Sequence, residues 1–238
     1  MKMFLTLSLI VVLAICIWSG FKKGLIRGIA SLVAIGIAIA GANAFASRYA
    51  SELVPALNPF IGGFIDSETN TDDILAKLGY GESELSLTDI LTQDTSLRYD
   101  YAYESIRSIG FYREVSEDLA SDAVRYSDSS GVTLTDAVIT VLCNTVAYAG
   151  CLTIAFIMIL ILLAALLDMV NLDFHLPNVA VADEVAGAAL GFVKGFIYCV
   201  LLCWLFGFLG LIIGRDTCEK TILVNFFLAF RFLTKALI

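Results

Sequence analysis

The sequence predicts an all-α membrane protein: four transmembrane helices as two hairpins, a small helical extramembrane insertion and a C-terminal interfacial helix. Three observations predict it. Hydrophobic residues make up 59% of the 238 positions and mean hydropathy is +0.86, too apolar for an ordinary soluble domain. Uncharged stretches recur at about the 20 residues that a bilayer-spanning helix needs. The charge is also segregated: Arg48 to Thr133 holds 16 acids and 6 bases, a net of −10. The rest of the chain holds 7 acids and 9 bases, or +2, and together they give the overall −8.

In chain order, Met3–Phe21 reads as the first span and Gly28–Ser47 as the second, so 1–47 forms the first hairpin. Lys2 followed by an apolar run also fits a secretion signal. However, the small-residue pattern Ala42–Ala46 lies beyond the second apolar run, and Cys16 lacks a small residue before it, so an uncleaved hairpin is expected. Within the insertion, 48–133, Val54–Ile65 is apolar but carries Pro55, Pro59, Gly62 and Gly63. It reads as a broken segment, either dipping into the interface or covering helix ends. Thr71–Leu78 and Ser86–Gln93 read as short helices. Tyr101–Tyr126 reads as one longer helix, with Ile106, Ile109, Val115, Leu119 and Val124 at helical spacing and a break at Ser127–Gly131.

The helix is expected to resume near Ala137 and to run into the third span, Ala137–Leu167. Gly195–Gly214 is the fourth span, approached through small residues from Val185, so 134–214 forms the second hairpin. Residues 215–238 mix Ile222, Phe226, Phe227 and Phe230 with Lys220, Arg231 and Lys235, the pattern of a helix lying in the interfacial plane. A fifth span would carry Arg231 and Lys235 into hydrocarbon at roughly 2.5–3.5 kcal/mol each on insertion scales.

Orientation follows from short basic loops, which face the cytoplasm. Gly20–Gly28, G-F-K-K-G-L-I-R-G, holds the topology-setting Lys22, Lys23 and Arg27. Placing it inside puts the acidic insertion outside. Lys2, Arg215, Lys220, Arg231 and Lys235 argue the other way.

Small residues recur every four positions. Gly20, Gly24 and Gly28 form one stripe, Ala30, Ala34, Ala38 and Ala42 a second, and Gly187, Gly191, Gly195, Cys199, Cys203 and Gly207 a third. Such stripes let helix backbones approach closely in lipid, so these residues are expected at helix–helix contacts. Gly20-Phe21-x-Lys23-Gly24 also returns as Gly191-Phe192-x-Lys194-Gly195. That is either an internal duplication of a two-helix unit or one packing device used twice.

Chemistry is sparse. Five of the six cysteines lie in or beside apolar runs, and His175 is the one histidine, so no metal cluster is expected. No nucleophile elbow, phosphate loop or acid–base pair appears, and neither an enzyme nor a cofactor is expected. The acidic balance argues against nucleic acid; the lipid bilayer and a homo-oligomer or a second membrane protein are the expected partners. The candidate functional polar residues are Lys194, Asp168, Asp183 and Glu184, with Asp173 nearby. Charged groups in or near spans are costly and often functional, although loop acids and a snorkelling lysine account for the same pattern. An approach of Lys194 to Asp168 is expected if the third and fourth helices pack antiparallel.

Trp18–Ala34, W-S-G-F-K-K-G-L-I-R-G-I-A-S-L-V-A, resembles the opening signature of the colicin V production protein (CvpA) family, and Ala186–Gly195, A-G-A-A-L-G-F-V-K-G, resembles its second block. The resemblance implies a bacterial multi-pass inner-membrane protein tied to toxin production or secretion and to envelope integrity. The 86-residue insertion departs from the short family pattern. Two function classes are carried forward: an assembly or scaffold protein, and a small oligomeric channel or transporter.

Overall fold

A computed structural model describes residues 2–68, 71–80, 87–169, 180–208 and 222–228. Among these residues every regular element is an α-helix: α1 (Lys2–Glu68), α2 (Thr71–Lys77), α3 (Leu87–Gln93), α4 (Leu97–Ser108), α5 (Arg113–Ser130), α6 (Leu134–Met169), α7 (Ala180–Phe208) and α8 (Ile222–Leu228). Three helices are long and apolar enough to cross a membrane, through Leu5–Gly63, Leu134–Met169 and Val181–Phe206, with mean hydropathy of 2.0, 2.9 and 2.0. Their apolar side chains point largely outward: Trp18 is 66% exposed, Ile161 64% and Ile154 62%. An apolar surface of that extent fits a lipid surround rather than water.

The described residues fall into two compact units. One holds 2–48, 150–206 and 222–228; 49–149 form the body of the other, so α1 and α6 contribute to both.

In the membrane-type unit, α1 is broken at Gly24, where φ 71° and ψ −178° leave the helical region. The arm before Gly24 packs against α7 with opposite chain direction. Leu9 lies opposite Cys199, Cys16 opposite Gly191 and Gly195, and Gly20 opposite Gly187 and Gly191. After Gly24, Ala34, Ala38, Ala42 and Ala46 are buried at every fourth position, and Gly41 sits against Ile159 of α6. Cys16, Cys151, Cys199 and Cys203 are buried and free, acting as small apolar packing residues. In the short α8, Phe227 is buried and its ring lies 5.4 Å from Phe196 of α7. The rest of the expected interfacial segment, with Lys220, Arg231 and Lys235, lies outside the described residues, as does Cys218.

The second unit is a small helical domain. Its core joins Tyr101, Ile106, Ile109, Phe111, Val115, Leu119 and Ala123 of the α4–α5 region to Leu134, Val138 and Leu142 of α6, with Ile65, Ile74 and Leu91 from the preceding helices. Two sequence expectations are corrected here. Tyr101–Tyr126 is not one helix: the chain turns at Gly110 (φ 107°), which carries Phe111 into the core at 1% exposure. Burying that aromatic outweighs continuing the helix. Val54–Ile65 is not broken either, because α1 stays helical through Pro55 and Pro59. The two prolines are four residues apart, so both lost N–H groups fall on one face. Ser51, Pro55 and Pro59 are exposed, leaving the freed carbonyls to solvent.

Local signals end the remaining helices. Gly131 closes α5 in the left-handed region (φ 68°) and donates its N–H to Ser127 O at 2.9 Å. Thr133 opens α6: its Oγ1 accepts the Asp136 N–H at 3.2 Å and lies 2.7 Å from Asp136 Oδ2. Arg98 ties the α4 start to the α5 end through Asp128 at 2.5 Å and Ser127 Oγ at 2.9 Å.

Candidate functional site

The sequence-predicted site residues converge where α1 meets α7. At Gly20 and Gly191 the two backbones touch. A Cβ on Gly20 would stand 2.8 Å from Gly191 Cα, and one on Gly191 would stand 3.1 Å from Gly20 Cα and run into the Cys16 carbonyl. Gly187 faces Gly24 Cα in the same way at 3.0 Å. At Gly195 and Gly28 an added Cβ would first meet side chains instead, Cys16 Cβ at 3.0 Å and Leu190 at 2.8 Å. Cys199 extends the stripe, fully buried, with its thiol 3.7 Å from Leu9 O as a weak donor, and Cys203 is fully buried one turn on. Gly207 is helical, but its surroundings lie outside the described residues. Ala30 is half-buried and the other three alanines of the second stripe are buried.

Breaking a helix frees backbone N–H groups, which must find acceptors. After the Gly24 break, the Leu25 N–H donates to Asp183 Oδ1 at 2.9 Å. Asp183 is 3% exposed, and its Oδ2 has no hydrogen-bond partner among the described residues. The sequence leaves Asp183 open as a loop acid or a functional group; its position makes it the acceptor for the broken helix. Glu184, beside it, is half-buried.

The basic motif divides its charges. Arg27 pairs with Asp168 at the end of α6. Lys22 stands over the Trp18 ring at 5.2 Å from its centroid, and Lys194 over the Tyr198 ring at 5.6 Å. The expected Lys194–Asp168 approach is therefore corrected: Asp168 is taken by Arg27. The longer, planar guanidinium forks onto a carboxylate more readily than an ammonium does. Asp168 is 64% exposed, so the pair is a solvent-screened one. Asp168→Asn is expected to lower stability by no more than about 1 kcal/mol in a denaturant melt. A larger loss would mean that the pair is desolvated.

Lys23, Arg27 and Lys194 line one crevice with Cys16, Ser19, Gly20, Gly28, Ser31 and Gly191. Its ≈ 10 Å³ is room for about one water. Ser31 Oγ donates to Gly28 O at 2.8 Å, so its proton is already used. Sequence reasoning missed Ser19 and Ser31. The signal was present, because Ser19, Lys23, Arg27 and Ser31 repeat every four residues. Beyond Lys194 lies an apolar groove of ≈ 290 Å³, walled by Val12, Ile39, Phe156, Tyr198, Leu202 and Leu205 among others. The Tyr198 ring meets Phe156 edge-on at 6.5 Å. In the second unit, Asn144 and Thr145 line a separate surface hollow with Asp122, Arg125 and Ser129. No group of three or more potential metal ligands occurs among the described residues. Asp173 and His175 lie outside them.

Fold and site together define an all-helical membrane protein, with a backbone-to-backbone helix contact and a small basic crevice at a helix break. No protein-family model, no curated protein and no solved structure matches the chain.

Proposed function

We propose that this is a multi-pass bacterial inner-membrane protein of CvpA type, which supports envelope integrity or toxin production and secretion as an assembly or scaffold protein. It crosses the membrane four times as two hairpins. The length of α1 supports that count: the apolar stretch of 59 residues is about 88 Å long at 1.5 Å per residue, against a hydrocarbon core of about 30 Å. Val12 and Ile39, on opposite sides of the Gly24 break, wall one groove, as a fold-back would require. The basic loop faces the cytoplasm and the acidic insertion lies outside.

One observation carries the scaffold reading: the open groove between these helices is walled almost entirely by apolar side chains. A conducting path needs polar lining or a water-filled lumen. The second reading, a channel or transporter built from several copies, draws on the crevice of Lys23, Arg27 and Lys194.

The test is the mass of the purified protein in detergent, joined to ion flux from vesicles carrying it. A monomer or dimer without flux is expected; a larger ring that passes ions would overturn the scaffold reading. Topology is checked with a cysteine at the exposed Ser129, native cysteines replaced. Labelling in intact cells is expected, and labelling only after permeabilisation would reverse the orientation.

A further inference from the structure

We infer that Lys23, Lys194 and Ser19 hold the phosphate diester of an anionic phospholipid at the mouth of their crevice, whose interior has room for a water alone, with one acyl chain along the apolar groove beyond Tyr198. The inference rests on the membrane reading above and goes beyond the scaffold role.

The first observation is charge without a partner. Lys23 and Lys194 come from different helices onto one crevice, and among the described residues neither makes an ion pair. Arg27 lines the same crevice but is engaged by Asp168. Two ammonium groups on one crevice repel, and an anion at its mouth, where Lys23 is exposed, offsets the repulsion. Ser19, half-buried on the same wall, supplies a hydroxyl donor. Basic pockets between membrane helices on the cytoplasmic side are where anionic headgroups bind.

The second observation is what adjoins that charge. Lys194 stands over Tyr198, and the Tyr198 ring is also a wall of the ≈ 290 Å³ groove. From Tyr198 the wall continues one and two turns along α7 through Leu202 and Leu205, with Phe156 opposite. Charge and groove therefore meet at one residue, on one face of one helix. A free phosphate would satisfy the lysines and leave the groove empty; a lipid without phosphate would fill the groove and leave the lysines uncompensated, and the quaternary ammonium of phosphatidylcholine would set a third cation beside them. An anionic phospholipid meets both.

The test uses the full chain in neutral detergent and counts retained lipid by native mass spectrometry. Phosphatidylglycerol is expected to be retained at roughly tenfold lower concentration than phosphatidylcholine with the same chains. Lys23→Gln/Lys194→Gln is expected to abolish that preference. Leu202→Trp, which fills the groove, is expected to weaken retention of both lipids. Inorganic phosphate is expected not to displace the lipid. Equal retention of the two lipids by the wild-type protein overturns the inference, whether or not any variant folds. So does a preference that survives the lysine substitutions, and displacement by phosphate would assign the crevice to a free anion instead. Flotation with phosphatidylcholine vesicles separates the two readings: failure to float removes the membrane reading, whereas floating without a lipid preference removes only this site.

Discussion

Leucine at Gly20, Gly187 or Gly191 is expected to cost more than about 3 kcal/mol, at or above the top of the usual overpacking range. The atoms in the way are backbone: Gly191 Cα for Gly20, Gly24 Cα for Gly187, and the Cys16 carbonyl with Gly20 Cα for Gly191. A side chain can rotate aside, but a helix backbone can only move as a body, so α1 and α7 must separate along the whole contact. Even alanine is expected to be damaging at these three positions. Gly195→Ala should lose less, since its nearest neighbours are Cys16 Cβ at 3.0 Å and Leu13 Cα at 3.4 Å. Gly36→Ala is the control: nothing lies within 4 Å of its added Cβ. It should match the wild type or gain up to about 1 kcal/mol from helix propensity. Thermal or denaturant unfolding of the detergent-purified protein gives the series. A Gly191→Leu protein that melts with the wild type would refute backbone packing.

Gly24 is expected to be as intolerant, for a different reason. At φ 71° and ψ −178° it occupies a region open essentially to glycine alone, where another residue costs about 1–3 kcal/mol in strain. An added Cβ would also stand 2.5 Å from Asp183 Oδ2. Gly24→Ala therefore meets strain and collision together, and a loss near 3 kcal/mol is expected. Asp183→Ala removes the obstacle but leaves the part-buried Leu25 N–H without its acceptor, at up to about 1–3 kcal/mol. Because each change removes part of what the other disturbs, the double variant should be less destabilised than the two losses added together. Asp183→Asn keeps an acceptor oxygen and should lie closest to the wild type. Additive losses in this cycle would mean that Gly24 and Asp183 do not act on one hinge.

Much of this architecture was legible in the chain. The apolar runs located the membrane-type helices, because burying or lipid-solvating uncharged stretches of that length leaves few alternatives. Spacing of four revealed the glycine and alanine stripes, since residues four apart share a helix face. What spacing omitted was local competition. Gly110 split the expected Tyr101–Tyr126 helix because Phe111 gains more in the core than one helical turn contributes. Pro55 and Pro59 failed to break α1 because their lost hydrogen bonds fall on an exposed face.

The sequence by itself determined an all-helical membrane chain, an acidic helical insertion, cysteines used as small apolar residues and a basic motif at the first turn. These depend on composition and period, which each segment carries within itself. Only the tertiary structure decided who meets whom: Arg27 rather than Lys194 on Asp168, Asp183 beneath the Leu25 N–H, and Lys194 over Tyr198 at the head of an apolar groove. Those pairings join residues far apart in the chain. They depend on which glycines let α1 and α7 close to backbone contact and on the one non-helical residue that turns α1, a geometry that no single segment contains.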